Sequence, residues 1–355
     1  MSPHRHAKSA RRPARSESGP YRAARCRQRG AALLTAMVIV TLVATMAATM
    51  LWQQWRAVQV ESAERGRAQA YWILTGALDW ARLILREDVR SGQPVTHLGE
   101  PWATPLAEAR LSSFLAVDRE NTEDAPEAFL SGSMTDLQSR YNLRNLVADG
   151  KLVPQELAAL RRLCEAAGLA PALADGLAEN LRQAWVAAER STPEAAAAAA
   201  SAAAAQGSSV SPLPDNPPLV PTTLDDLVWL GLDAASVARL RPYVVILPEP
   251  TRVNINTAPK EVIAAVIDGL DLSSAERLVQ ARQRSPMTSP SDAAPLMGRP
   301  ALEPVALARV DVDSAYFEVR GRLRFEDRVV EQRFLVKRVG QEVITLHQER
   351  SAGVE

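Results

Sequence analysis

Gly30 and Ala31 stand where two kinds of sequence meet. Before them, Arg22, Arg25, Arg27 and Arg29 crowd a polar stretch; after them, Ala31–Trp52 carries no charged residue. A small residue at such a border offers a peptidase a place to cut. Cleavage there would remove the basic leader and leave the apolar run on the mature chain. A secretory signal is built the other way round, with its small-residue site after the apolar core. Other residue types able to do chemistry are sparse. Asp311 and Asp313 are a pair of carboxylates just before an alternating strand pattern. They are weak candidates for a metal site, since calcium takes roughly six or more oxygens. His4 and His6 fall in the leader, and His97 and His347 stand far apart. Cys26 also lies in the leader, so the mature chain would keep Cys164 alone, without an intramolecular disulfide. A small buried apolar role is expected for Cys164. No G-x-S-x-G, H-E-x-x-H or Walker pattern occurs. The residues form no catalytic constellation, and the chain is expected not to be an enzyme.

The apolar run is the first element that must position anything. About 20 apolar residues cross a hydrocarbon core of roughly 30 Å. Basic residues stay on the cytoplasmic side, so the N-terminus should face in and everything after Trp52 out. The zero net charge hides this polarity. Residues 1–30 hold nine Lys/Arg and one Glu, a net of +8, so the remainder carries −8. An acidic outer domain argues against nucleic-acid partners.

From Ala31 to Gly92 there is no proline, and after Trp52 the apolar residues Trp55, Val58, Ile73, Leu74, Leu78, Ala81 and Leu85 recur at helical spacing. The pattern predicts one helix over about 31–89, apolar all round at first and amphipathic later. Residues 93–130, with four prolines, read as irregular. Met134–Tyr141 reads as a short strand running into a helix start. Helices are expected at Pro154–Ala167 and Pro171–Glu189, each opened by a proline. Residues 191–222, an alanine run followed by prolines, read as a mobile linker or surface loop. Helical pattern resumes at Thr223 and again at Thr257, each placed as an N-cap. After Pro300 the period becomes two: Phe317, Val319, Gly321, Leu323 and Phe325 alternate with charges, Glu326-Asp327 turns, and Val329–Lys337 and Glu342–His347 follow. This is an antiparallel meander with one buried face.

Basic leader, glycine, apolar helix, amphipathic helix and C-terminal meander, in that order, resemble a type IV pilin or pseudopilin. Three blocks are more specific. SMTDLQSRYNLRNLV (133–147), RPYVVILPEPTRVNINTAPKEVI (241–263) and YFEVRGRLRFEDRVVEQRFLVKR (316–338) resemble, in order, blocks of the type II secretion minor pseudopilin K family. The resemblance implies an α+β, pilin-like fold with a long N-terminal membrane helix, a C-terminal antiparallel sheet and a large inserted α-helical domain of the SAM or helix-hairpin-helix kind. The expected parts are the leader, 1–30; the helix, 31–92, transmembrane over 31–52; a first pilin-like part, 93–141; the insert, 142–300; and the sheet, 301–350.

It further implies that a prepilin peptidase cuts between Gly30 and Ala31 and that Ala31 becomes N-methylated. Most pilins carry Glu five residues into the mature chain, where it pairs with the terminal amine of a neighbour already in the fibre. Here that position is Thr35. An unpaired carboxylate in a bilayer costs roughly 2.5–3.5 kcal/mol on mild scales. A subunit with no neighbour above it has no use for one, and the bulky insert would obstruct anything stacked above. The implied function is therefore a cap on the pseudopilus tip that helps initiate assembly for protein export across the outer membrane. Implied partners are the I- and J-type minor pseudopilins, the major pseudopilin, the prepilin peptidase and the inner-membrane secretion platform. The implied location is the inner membrane, single pass, with the C-terminal domain periplasmic. The family is associated with calcium, but the acidic segment usual after the first helical subdomain reads QAWVAAERSTPEA (183–195) here, without its aspartates; no cofactor is certain.

A second reading comes from VNINTAPKEVIAAVIDGLDLSSAERLVQARQ, which also resembles helix-hairpin-helix DNA-binding modules. It would make the chain a membrane-anchored, competence-like DNA-binding protein. Those modules use a Gly-apolar-Gly hairpin against phosphate. The hairpins here are Gly231-Leu232-Asp233 and Gly269-Leu270-Asp271, with a negative charge where phosphate would sit. Nucleic-acid binding is therefore not expected.

Overall fold

The computed structural model describes residues 31–90, 95–111, 128–191, 216–298, 300–325 and 328–352. The leader with Gly30, most of the expected linker and the Glu326-Asp327 turn lie outside the described residues. The chain divides into two compact units, one ending at Gly66 and one beginning at Arg67. Helix α1, Ala31–Arg90, is unbroken and contains that division. Its length follows from the absence of proline and from a glycine-free stretch up to Gly66.

Over Ala31–Trp52 the helix is apolar on every side and its side chains are exposed, Leu33, Ile39, Leu42 and Met50 among them. Among the described residues it is the one helix long and apolar enough to cross a membrane. In the second unit, Ala70, Leu74, Leu78, Ala81 and Leu85 are buried, one per helical turn.

They pack on a five-stranded antiparallel sheet of strands β1 (Leu106–Arg110), β2 (Ala128–Asp136), β3 (Tyr316–Phe325), β4 (Arg328–Val339) and β5 (Glu342–Ala352), adjacent in that order. The period-two residues Phe317, Val319, Leu323, Phe334 and Val336 point into this layer and are buried. The approach is close at Gly321, which faces Gly132 in register. A Cβ at Gly321 would come within 2.9 Å of Leu74 Cδ2. Trp102 fills the end of the layer, edge-on to Phe317 at 5.2 Å.

Several expectations are corrected. Residues 93–130 are not irregular throughout: a 3-10 turn at Pro101–Ala103 is followed by β1, and β2 begins at Ala128. The strand expected at Met134–Tyr141 ends at Asp136, because the Asp136 side chain accepts from the Gln138 backbone N–H and turns the chain into a 3-10 helix at Leu137–Ser139. The expected helix start is a second 3-10 turn, Leu143–Leu146, capped by Asn142. Thr257 caps no helix; the helix after it starts at Lys260 behind Pro259.

Between β2 and β3 lies helical sequence. Helices α2 (Pro154–Ala166), α3 (Ala172–Glu189), α4 (Ala234–Leu240), α5 (Lys260–Val266) and α6 (Leu272–Arg284) share one apolar core containing Leu160, Leu163, Leu181, Leu227, Ile263 and Leu278. Cys164 belongs to that core, and burial pushes its thiol up to about 11. The segment between β2 and β3 also holds two short parallel pairings separate from the five-stranded sheet, Tyr141–Asn142 with Val244–Val245 and Val253–Asn254 with Val310–Asp311.

Candidate functional site

Two polar blocks, TDLQ at 135–138 and NINT at 254–257, meet at one buried carboxylate. Asp136 Oδ1 accepts from Gln138 N at 2.8 Å. Asp136 Oδ2 accepts from the Thr257 hydroxyl at 2.5 Å, the Ser314 hydroxyl at 2.7 Å and the Asn254 amide at 3.2 Å. Asn254 also donates to the Thr96 carbonyl and to Ser314 Oγ. Burial raises the Asp136 carboxyl above its ordinary value, and the four hydrogen bonds work against that rise. The same strand end reaches further. Gln138 donates to the Arg252 carbonyl and accepts from Ala315 N, while Asn142 and Asn145 hold the backbone at Leu247, Glu249 and Thr251. The first two blocks of the sequence are thus halves of one joint between sheet and helical layer. Neither Thr96 nor Ser314 carried a sequence signal; in this cluster each bonds to residues distant in sequence, Asn254 for both and Asp136 for Ser314.

A second cluster sits beside the first. Arg338 of β4 reaches Asp88 at 3.0 Å and Asp313 at 2.6 Å, and donates to the Thr96 hydroxyl and the Ser314 carbonyl. Thr96 belongs to both clusters. Next to Asp88, Glu100 is nearly buried and accepts from the Trp102 indole N–H and from His97 N. Desolvation raises Glu100 to about 7 and also raises Asp88, whereas burial lowers His97.

The expected metal pair is held by arginines. Asp313 faces Arg338 and the Thr96 hydroxyl. Asp311 lies 3.3 Å from Arg252 and accepts from Val312 N. Among the described residues no three His, Cys, Asp or Glu side chains gather closely enough to hold a metal ion. Trp185, in the segment where the family's acidic stretch would fall, packs in the helical core under the Arg144 guanidinium.

In the first unit, the Thr35 hydroxyl donates to the carbonyls of Ala31 and Ala32, both at 3.0 Å. Thr41, Thr45 and Thr49 make the same kind of bond to Val38, Leu42 and Met46. Every threonine hydroxyl in the apolar run is therefore satisfied by its own helix, as hydrocarbon surroundings demand. The hairpin aspartates also have structural work. Gly231 and Gly269 take positive φ of 93° and 68°. Asp233 then caps α4 by accepting from Ser236 N. Asp271 opens α6, and hydrogen bonds from Ser273 and Ser274 lower it to about 2. A carboxylate occupies each helix start where a phosphate would have to approach.

A long apolar helix turning amphipathic and lying on an antiparallel sheet defines a pilin-like protein. The solved structure of the GspK-GspI-GspJ complex from the enterotoxigenic Escherichia coli type 2 secretion system contains a chain of this fold. It matches with a TM-score of 0.56 and 18% identity, over 82% of the present chain and 99% of that one. Family models described as type II secretion system (T2SS) protein K match residues 139–249 and 253–317. The type II secretion system protein K of Klebsiella pneumoniae is 31% identical over 287 residues, 78% of this chain and 81% of that protein. Its counterpart in Pseudomonas aeruginosa is 29% identical over 281 residues, 75% of each chain. The chain belongs to the type II secretion system protein K family, the K-type minor pseudopilins.

Proposed function

We propose that this minor pseudopilin caps the tip of the pseudopilus and helps to initiate its assembly. The observation that carries the reading is Thr35. A shaft subunit uses a carboxylate at this point to meet a neighbour's terminal amine, while Thr35 bonds only to its own helix carbonyls. Such a residue suits a subunit with nothing above it, and the helical layer inserted between β2 and β3 adds bulk that a shaft would have to accommodate. Its partners are then the I- and J-type minor pseudopilins, as in the relative's complex, followed by the major pseudopilin and the secretion platform. The apolar helix holds the precursor in the inner membrane with the folded unit in the periplasm. Once processed, it exchanges lipid for the helices of its partners.

Gold labelling of an epitope-tagged chain on sheared pseudopili tests the reading. Label at one end of each fibre is expected; label along the shaft overturns it. Processing is read separately, by N-terminal sequencing after co-expression with the peptidase. The mature chain should start at Ala31, and Gly30→Leu should leave the leader in place.

A further inference from the structure

Most arginines that are largely buried here face a carboxylate: Arg309 is paired with Glu156 and Arg338 with Asp88 and Asp313. Arg282, near the end of α6, is different. Its Nη1 donates to the carbonyls of Ile255 and Ala258, both at 2.6 Å, and these are its side-chain hydrogen bonds. No carboxylate among the described residues pairs with it. Burial alone pushes it down to about 10, so it stays charged at neutral pH. Nε and Nη2 keep three N–H bonds without acceptors, yet are not sealed from solvent. Arg282 lines a cavity of about 380 Å³ between α6 and the loop after α1, together with His97, Leu98, Asn256, Gln283 and Pro286. Within it the Asn256 amide is already bonded both ways to the Met287 backbone. His97 Nδ1 accepts from Gly99 N, and burial keeps the ring neutral, so Arg282 is the cavity's cation.

We propose that this cavity binds a carboxylate side chain presented by a partner protein. The Nε/Nη2 edge of a guanidinium matches the two oxygens of a carboxylate, and the site is concave enough to exclude much of the water that weakens exposed pairs. The rim favours a peptide over a free anion. Leu98 is 58% exposed at its edge and Pro286 is half-buried, apolar surface that an inorganic ion would leave wet and a peptide chain would cover. The proposal does not rest on the tip reading, because any acidic partner segment would satisfy it.

The test uses the full chain in detergent, isotopically labelled at arginine Nε. The Arg282 signal is identified by its absence in Arg282→Lys. It is titrated with a blocked Leu-Glu-Leu peptide, its neutral Leu-Gln-Leu twin and inorganic phosphate. A saturable shift with the glutamyl peptide is expected, with the neutral twin weaker by about tenfold or more. Gln283→Glu places a competing carboxylate on an exposed position and leaves both carbonyl bonds intact. It should weaken the peptide by about tenfold at an unchanged thermal midpoint. Equal binding of the two peptides, no saturable shift, or undiminished binding by Gln283→Glu overturns the proposal. Saturation by phosphate alone also overturns it and leaves an adventitious ion only.

Discussion

Asp136 and Glu100 are both buried carboxylates raised by desolvation, and they are surrounded in opposite ways. Asp136 meets neutral donors from three separate stretches of chain: Gln138 N, Asn254 and Thr257, and Ser314. Glu100 also accepts from the neutral Trp102 indole and His97 backbone N–H groups, but around it stand groups that titrate or carry charge: Asp88, the His97 ring and Arg338. Donors that do not change charge make a joint that is either whole or broken. Groups that do change charge make a joint whose strength depends on pH. Thr96 touches both, so the end of α1, the helical layer and the sheet meet at residues of unlike chemistry.

Removing the carboxylate of Asp136 should have the largest effect. Asp136→Ala takes the acceptor from Gln138 N and from the Thr257 and Ser314 hydroxyls, while Asn254 keeps the Thr96 carbonyl and Ser314 Oγ; it is expected to cost about 3–5 kcal/mol in chemical denaturation. A cost under about 1 kcal/mol would show that the joint is not structural. Thr257→Val removes one donor and leaves the rest, and about 1–2 kcal/mol is expected by the same measurement. Glu100→Gln sharpens the contrast through pH. The folded state holds the Glu100 proton more tightly than the unfolded chain, about 7 against 4.5. The stability it confers is therefore complete below about pH 4.5, declines as pH rises through 7 and is flat above. His97, lowered from 6.5, works in the opposite sense. Relative to the parent, Glu100→Gln should gain stability as pH rises from about 4.5 to 7 and then hold level. A pH-independent difference for Glu100→Gln would erase the distinction between the two joints. The smallest effect is expected for Asp313→Asn, about 0.5 kcal/mol, because its carboxylate is half exposed and Arg338 keeps Asp88.

The long helix and the C-terminal meander were legible because each rests on a period that local sequence carries. The apolar residues of α1 fall one per turn, and those from Phe317 to Phe325 fall on alternate positions. Strand β1 was not legible, since Leu106–Arg110 has no alternation and is held by its pairing with β2. The end of β2 was misplaced because Asp136 stops the strand through a hydrogen bond that propensity does not encode. Of the candidate site, Thr35 could be placed by counting from Gly30. The Asp311 and Asp313 pair could not be judged, because the arginines facing them come from positions 252 and 338. The three sequence blocks signalled the family; only the structure gave a physical reason for two of them, which is that they bond to each other.

The entrance and exit of the helical layer lie on one rung of the sheet. Asp136, the last residue of β2, pairs in register with Phe317 of β3, and its carboxylate bonds to Ser314. From the standpoint of the sheet, residues 137–313 are a single closed loop. The entropy of closing a loop grows only with the logarithm of its length. A hairpin of a few residues could therefore replace the whole layer at little cost to the strand pairing. The same geometry lets the layer enlarge, shrink or diverge in sequence without the helix and sheet beneath it having to change register.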